Sequence, residues 1–136
     1  MTEFQTVQMP VPSEPAPDGS RIFPLVRTEQ TSVGLIELRP DQITAPVYHL
    51  TIEEVWYVLE GQGQLWRQLD GHEETVDLQA GTCVTIPTGA AFQFRSDGER
   101  PLRMLMMTIP PWPGPEEAVA ADGKWVPGIN QNGEAR

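Results

Sequence analysis

The feature that most constrains this chain is a succession of short alternating segments separated by turn residues. Between residues 20 and 110, runs rich in Val, Ile, Leu, Thr, Phe, Trp and Tyr recur, and none continues a helical period of 3.6 residues. Turn residues such as Asp70-Gly71 lie between them. This dipeptide indicates a tight turn, because glycine accepts the positive φ that such a turn requires. This pattern predicts an antiparallel barrel or sandwich without intervening helices. The predicted strands are approximately Arg21–Val26, Thr31–Leu38, Ile43–His49, Glu54–Glu60, Gly63–Leu69, Glu74–Leu78, Cys83–Ile86, Ala91–Arg95 and Leu102–Ile109.

Proline divides the chain into a central domain and two tails, since nine of its 14 prolines lie outside residues 20–109. We predict a Pro-rich N-terminal arm at 1–19, a β-barrel domain at 20–110 and a Pro/Gly-rich C-terminal segment at 111–136. The arm is expected to be disordered, or to add a strand at a sheet edge or on a neighbouring subunit. Trp112 or Trp125 is expected to pack on the barrel or across a dimer interface, and the final NQNGEAR to be loose.

Charge and composition exclude several classes of function. The net charge of −10 disfavours nucleic acid and anionic membranes as partners. No apolar run reaches the roughly 20 residues that span a bilayer, and the first residues do not read as a signal peptide, so we expect a cytoplasmic protein. Cys83 is the only cysteine, which excludes an intrachain disulfide, and its alternating context TCVTIP predicts a small buried hydrophobe rather than a nucleophile.

The stretch PVYHLTIEEVWYVLEGQG carries a carboxylate in an apolar strand. With a two-residue period, one face holds Glu54, Trp56 and Val58, and the other holds Val55, Tyr57 and Leu59. Burying an ionised carboxylate without a partner is costly, so Glu54 either faces a solvated cavity or meets a cation, a metal or a hydrogen-bond donor. His49 is the nearest candidate in the sequence.

These residues resemble the cupin superfamily. The first cupin motif, G-x5-H-x-H-x3,4-E-x6-G, is matched in its second half by His49, Glu54 and Gly61. The second motif, G-x5-P-x-G-x2-H-x3-N, is matched by Gly81, Pro87 and Gly89. The resemblance covers about residues 20–110 and implies an all-β, antiparallel jelly-roll β-barrel with little helix. It also implies a homodimer, in which the outward strip of Val55, Tyr57 and Leu59 is covered; the same strip could lie against the second sheet of its own barrel.

The departures from the motifs concern metal binding. In metal-binding cupins the histidines of both motifs and the glutamate hold the ion, but Val47 and Phe92 stand at two histidine positions here and Ser96 at the asparagine. His49 and Glu54 alone fall short of the three or more protein ligands that a catalytic zinc or iron takes. We therefore predict no resident cofactor, with a divalent metal on His49, Glu54 and water as the alternative.

The remaining polar pair predicts a ligand-binding pocket. We expect a small organic molecule in an apolar, aromatic-lined cavity, with proton transfer by His49 and with Glu54 orienting it or acting as its partner. The predicted reaction is that of a metal-independent isomerase, cyclase or lyase on an aromatic or polyketide-like molecule. The alternatives are a non-catalytic binding module, a structural relic pair and a degenerate metal-binding cupin with dioxygenase-like activity. The expected pocket residues are Val47, Trp56, Trp66, Phe92, Phe94, Met104 and Met106.

Overall fold

The protein folds into two antiparallel β-sheets that face each other. A computed structural model describes residues 3–129, so the predicted loose end NQNGEAR lies outside the described residues. The first sheet has six strands in the order β1-β2-β3-β11-β6-β9. Its strands are β1 (Glu14–Pro15), β2 (Arg21–Arg27), β3 (Ser32–Leu38), β6 (Glu53–Glu60), β9 (Cys83–Ile86) and β11 (Leu102–Ile109).

The second sheet consists of β4 (Gln42–Ile43), β5 (Val47–His49), β7 (Gln62–Leu69), β8 (His72–Gln79), β10 (Ala91–Ser96), β12 (Ala118–Ala120) and β13 (Gly128–Ile129). Its central strand is β10. One edge of β10 pairs with β7, which continues into a hairpin with β8, and the other edge pairs with β5 and then β4. The short strands β12 and β13 add to β5 and β4.

These pairings confirm the predicted all-β, antiparallel jelly-roll fold. Helix is limited to one 3-10 turn, Pro115–Glu117, within the described part of the chain. Over the same residues, no helix is long and apolar enough to cross a membrane. Gly61, the last glycine of the first motif, has a φ of 92°, and a Cβ atom there would lie 2.4 Å from the Pro101 carbonyl oxygen. This close approach joins β6 to β7 beside β11 and explains why the motif needs glycine.

The core lies between the inner faces of the two sheets. Along β6 the predicted alternation holds, because Glu54, Trp56 and Val58 are buried while Tyr57 and Leu59 are 45% and 47% exposed. Burial of such apolar side chains supplies the main stabilisation of a domain of this size. The apolar core consists of Ile36, Leu38, Val47, Trp56, Val58, Leu65, Leu78, Val84, Ile86, Phe92, Phe94, Leu102 and Met104.

Two local predictions are wrong. The expected strand Ile43–His49 is split into β4 and β5, because Pro46 has no N–H to donate and Thr44 bonds to Phe94 through both its backbone and its hydroxyl. Cys83, expected to be buried, is exposed. Strand β9 does alternate, but Val84 and Ile86 take its inner face, so the thiol lies on the outer one.

The two tails pack on the barrel and complete it. In the N-terminal arm, Glu14 and Pro15 pair with Ile22 and Arg21 at the edge of the first sheet. At the other end, the backbone carbonyl of Trp125 accepts a hydrogen bond from the buried Gln93 side chain at 2.8 Å. Both tails therefore contribute to the structure around the central domain, and the arm forms one of the sheet edges.

Candidate functional site

His49 and Glu54 meet between the two sheets. His49 lies on β5 of the second sheet and Glu54 on β6 of the first, and each side chain is only 5% exposed. The distance from His49 Nδ1 to Glu54 Oε2 is 3.8 Å, which is longer than a hydrogen bond. His49 Nδ1 is buried without a hydrogen-bond partner among the described residues. The two polar atoms are thus neighbours that do not satisfy each other.

Aromatic rings fix the positions of both side chains. The indole Nε1 of Trp56 donates a hydrogen bond of 2.7 Å to Glu54 Oε1, which leaves Oε2 directed to the histidine side of the site. The imidazole makes edge contacts with Phe92 and Trp112, at ring-centroid distances of 5.3 and 5.6 Å. Edge-to-face contacts of this kind are favourable and directional. The pair is therefore held in an apolar aromatic setting.

This setting determines the protonation of the pair. Burial lowers the pKa of His49 to about 4, although the charge of Glu117 opposes the shift. Burial also raises the pKa of Glu54 to about 8; the hydrogen bond from Trp56 opposes this, while the charges of Asp18 and Glu117 add to it. Both shifts favour the uncharged form, as expected for ionisable groups removed from water. At neutral pH the site holds a neutral imidazole and a protonated carboxyl group.

Glu117 supplies a fixed negative charge next to the site. Burial opposes its ionisation, but its carboxylate accepts hydrogen bonds from Thr51 N, Thr51 Oγ1 and Ile52 N at 2.5, 2.8 and 2.8 Å, and these bonds lower its pKa, with a smaller contribution from the nearby His49 imidazole. Thr51 and Ile52 belong to the loop that joins β5 to β6. Glu117 thus holds the loop between His49 and Glu54.

The pair opens into a cavity of about 390 Å³. Of the side chains predicted to line a pocket, Val47, Trp56, Phe92 and Met106 do so. Phe94 and Met104 differ from the prediction: they lie in the closed core and do not reach the cavity wall. Apart from the polar pair, the described wall is dominated by apolar and aromatic groups, which is typical of sites for small organic molecules.

Trp66 is a second departure from the predicted pocket. It is buried, but on the opposite face of β7 from the core residue Leu65, beside Gln93 of β10 in the strand register. Its indole Nε1 donates to Glu73 Oε2 at 3.1 Å, and Gln93 is in turn bonded to Trp125. The C-terminal segment covers this outer face, so burial of Trp66 does not depend on the cavity.

Several wall residues were missed by sequence reasoning. The N-terminal arm contributes residues 14–18, including Asp18, and the segment after β11 contributes Trp112. Arg27, at the end of β2, also lines the cavity, and its Nη1 donates to the Trp112 carbonyl at 3.1 Å. The Pro-rich composition of the tails does not indicate that residues 14–18 and Trp112 reach the cavity, because their positions depend on how the tails fold back onto the barrel.

The donor set does not fit the metal site that the resemblance implies. Within residues 3–129, no three or more His, Cys, Asp and Glu side chains are grouped so that they could hold a metal ion. Val47 and Phe92, at the two missing histidine positions, are direct register partners on β5 and β10 and line the cavity with hydrocarbon. His49 and Glu54 remain as two donors, too few for a catalytic zinc or iron site.

Comparisons with known proteins agree with the fold. A family profile described as a cupin domain matches residues 34–108, more than half of the chain. The oxalate decarboxylase of Lactobacillus farciminis, solved as a formate complex, superimposes with a TM-score of 0.69 at 17% identity, over 81% of this chain and 33% of that one. The protein TT1209 from Thermus thermophilus superimposes with a TM-score of 0.60 at 25% identity, over 68% and 85% of the two chains.

Curated sequences are similar over part of the chain. A polyketide synthase, CurC of Streptomyces cyaneus, is 35% identical over 83 residues, which are 61% of this chain and 51% of that protein. A vicilin-like seed storage protein of Arabidopsis thaliana is 30% identical over 83 residues, which are 60% of this chain and 17% of that protein. The chain thus spans about half or less of the length of these relatives. With the profile match and the two-sheet fold, the protein belongs to the cupin superfamily.

Proposed function

We propose that this cupin binds a planar aromatic or polyketide-like molecule in its cavity and catalyses proton transfer on it through His49 and Glu54. The observation that carries the proposal is the 3.8 Å separation of His49 Nδ1 and Glu54 Oε2, with Nδ1 unpartnered among the described residues and both side chains lining the cavity. A buried polar atom without a partner is costly, and a polar group of a ligand in the cavity that bonds to Nδ1 relieves that cost.

The two groups have complementary roles. Neutral His49 takes a proton from a carbon next to a ligand carbonyl, the C–H electron pair moves toward the carbonyl, and protonated Glu54 donates its proton to the carbonyl oxygen. The products are an enol, an imidazolium and a carboxylate, so charge and protons balance. Return of a proton to carbon completes an isomerisation. Attack of the enol on a second carbonyl, or loss of a β-substituent, gives a cyclase or a lyase.

Two observations support this class of ligand. The cavity wall presents Trp56, Phe92 and Trp112 around the polar pair, and aromatic rings of this kind stack on planar ligands. The similarity to the polyketide synthase CurC extends over 61% of this chain. We propose that the reaction needs no resident metal, because two donors replace the larger ligand set of metal-binding cupins. A cytoplasmic location stays a prediction of the sequence.

The test uses 5-nitrobenzisoxazole, a planar aromatic probe of general bases. A base removes its ring C–H proton, the N–O bond breaks, and the oxygen leaves as a coloured phenolate that an acid can protonate. We expect His49→Ala to lower turnover by about 10²–10⁴-fold. Glu54→Gln is expected to lower it by a smaller factor. The matched control is Glu53→Gln, because Glu53 neighbours Glu54 but is exposed on the other face of β6.

Three results would contradict the proposal. Turnover by His49→Ala equal to that of the wild type would show that His49 is not the base. Binding of the probe, followed by calorimetry, without turnover above that of His49→Ala would favour a non-catalytic binding module. Stoichiometric metal in protein purified without chelator, together with loss of turnover on its removal, would favour a degenerate metal-binding cupin.

A further inference from the structure

The N-terminal arm brings the carboxyl group of Asp18 to the cavity wall, in addition to that of Glu14. Asp18 is part of the cavity wall, although it lies in the segment that the sequence marks as a tail. The arm is anchored on both sides of it: β1 pairs with β2, and Ala45 N donates to the Asp18 carbonyl oxygen at 2.9 Å. Asp18 therefore has a defined place in the same wall as the proton-transfer pair.

The carboxyl group of Asp18 is oriented in advance by Ser20. The backbone N and the hydroxyl of Ser20 both donate to Asp18 Oδ1, at 3.0 and 2.7 Å, and Ser20 is 2% exposed. Both Ser20 bonds end on Oδ1, so neither of them occupies Oδ2. Burial raises the pKa of Asp18 against the effect of these bonds, which is the mark of a carboxyl group turned away from bulk water.

The charges in the wall oppose an anionic ligand. Glu14, Asp18 and Glu54 are the acidic groups in the described wall, and of these Glu54 is protonated at neutral pH, so Glu14 and Asp18 supply the negative charge. Arg27 is the only Lys or Arg in that wall, and its Nη1 is already bonded to the Trp112 carbonyl. The whole chain adds a net charge of −10. A ligand carboxylate would thus enter a region of negative potential with one engaged cation near it.

A second observation marks the cavity as a ligand site independently of its acidic groups. His49 is 5% exposed, and its Nδ1 lies in the cavity region without a hydrogen-bond partner among residues 3–129. A ligand that satisfies this atom and also Asp18 must carry polar atoms at two places on an aromatic frame. A hydroxyl group is the neutral donor that a carboxylate oxygen accepts best.

We infer that Asp18 is a specificity-determining residue, whose Oδ2 accepts a hydrogen bond from a hydroxyl group of the aromatic ligand and disfavours ligands with a carboxylate in that place. The inference rests on the proposed function for the identity of the cavity as a ligand site. It adds a requirement on the substrate, namely a phenol or enol hydroxyl, and assigns the recognition to the N-terminal arm.

The experiment compares three probes with one bicyclic frame: 2-naphthol, 2-methoxynaphthalene and 2-naphthoate. Calorimetry at pH 7 measures the affinity of the full chain for each. The wild type is expected to bind the naphthol about tenfold more tightly than the methyl ether, because the ether leaves the buried acceptor without a donor. The naphthoate is expected to bind most weakly of the three.

Asp18→Asn is the decisive variant, because it keeps the size of the side chain and an Oδ1 acceptor for Ser20 while removing the charge. We expect the preference for the naphthol over the methyl ether to shrink to less than about threefold and binding of the naphthoate to improve. Ser20→Ala is expected to give an intermediate preference, since it removes one of the two orienting bonds. Asp122→Asn is the matched control, because Asp122 is exposed and lies outside the cavity wall, and it is expected to keep the wild-type preference.

The outcomes separate this inference from the proposed function. If the wild type does not distinguish the naphthol from the methyl ether, or if Asp18→Asn keeps the wild-type ratio, the inference is wrong while turnover of 5-nitrobenzisoxazole still stands. If the preference follows Asp18 but His49→Ala turns over the probe normally, only the catalytic proposal is wrong. If no naphthalene binds the wild type, both proposals are wrong.

Discussion

At the scale of single residues, one environment acts on His49 and Glu54 in opposite directions. Removal from water favours the uncharged form of each, so it lowers the pKa of the base and raises that of the acid. Between about pH 4 and 8 the site therefore holds a neutral base together with a neutral acid. In water, with their ordinary pKa values of 6.5 and 4.5, the two side chains are not both uncharged at any one pH. Catalytic pairs are commonly tuned in this way.

The raised pKa of Glu54 has a consequence for stability. Between its ordinary value of 4.5 and its native value of about 8, the folded protein keeps a proton that the unfolded chain releases, so stability falls as pH rises. His49 acts in the opposite sense between about pH 4 and 6.5, where only the unfolded chain takes up the proton. Above pH 6.5, Glu54 is therefore the one of the two that still changes stability.

We predict that Glu54→Gln removes this loss. From pH 6.5 to 8 the wild type is expected to lose about 2 kcal/mol of unfolding free energy through Glu54, at about 1.4 kcal/mol for each pKa unit. The difference between variant and wild type, measured by urea unfolding, is expected to change by that amount across the interval. Glu53→Gln reports the behaviour of an exposed carboxylate nearby. A constant difference between Glu54→Gln and the wild type at all pH values would contradict the raised pKa.

At the scale of elements, alternation predicted the strands better than it predicted their surroundings. The inward face of β6 follows directly from a two-residue period, whereas the meeting of Glu54 with His49 on β5 was expected from their nearness in the sequence and from the cupin motif. Trp66 shows the limit, because both Leu65 and Trp66 of β7 are buried. A strand that is buried on both faces has no alternation of apolar and polar residues to show which face is the inner one. The segment that buries the outer face near Trp66 is the C-terminal one, which is distant in the sequence.

The tails were the part of the candidate site that local pattern could not supply. Asp18 reaches the cavity through the pairing of β1 with β2 and the contact of its carbonyl with Ala45, and the latter joins residues distant in sequence. The prolines of the arm predict an extended backbone, but they do not predict which part of the barrel the arm packs against. The motif residues His49 and Glu54 could be predicted because their spacing is local, whereas the contribution of the tails to the cavity wall depends on long-range packing.

At the scale of the whole molecule, the outer face of the first sheet carries an apolar row that crosses its strands. Phe23, Leu35, Leu105 and Tyr57 are successive register partners on β2, β3, β11 and β6; Tyr57 is exposed, Phe23 and Leu105 are half-buried and Leu35 is buried. Beside them runs a row of alternating charge, Arg21, Glu37, Arg103 and Glu60. Alternating signs match themselves when two copies are related by a two-fold axis, so this face suits a second copy of the chain even though each carries −10.

We propose a homodimer through this face and predict that Tyr57→Asp dissociates it. Tyr57 is 45% exposed in the single chain, and burying a charge at its place in an apolar interface is unfavourable. Sedimentation equilibrium is expected to give a dimer for the wild type and a monomer for the variant. Leu69→Asp, at the exposed end of β7 in the other sheet, is expected to remain a dimer. A monomeric wild type, or a dimeric Tyr57→Asp, would exclude this interface.

The central claim is that His49 is a neutral base held with Glu54 inside the barrel, and a nitrogen NMR titration of its imidazole tests this most directly. The chain has two histidines, so ¹⁵N-labelled His72→Gln leaves His49 as the one that is observed. We predict that both ring nitrogens keep the shifts of a neutral imidazole from about pH 8 down to about pH 5, with a midpoint near 4. An imidazole that is half protonated near pH 6.5 would place His49 in contact with water and contradict the account.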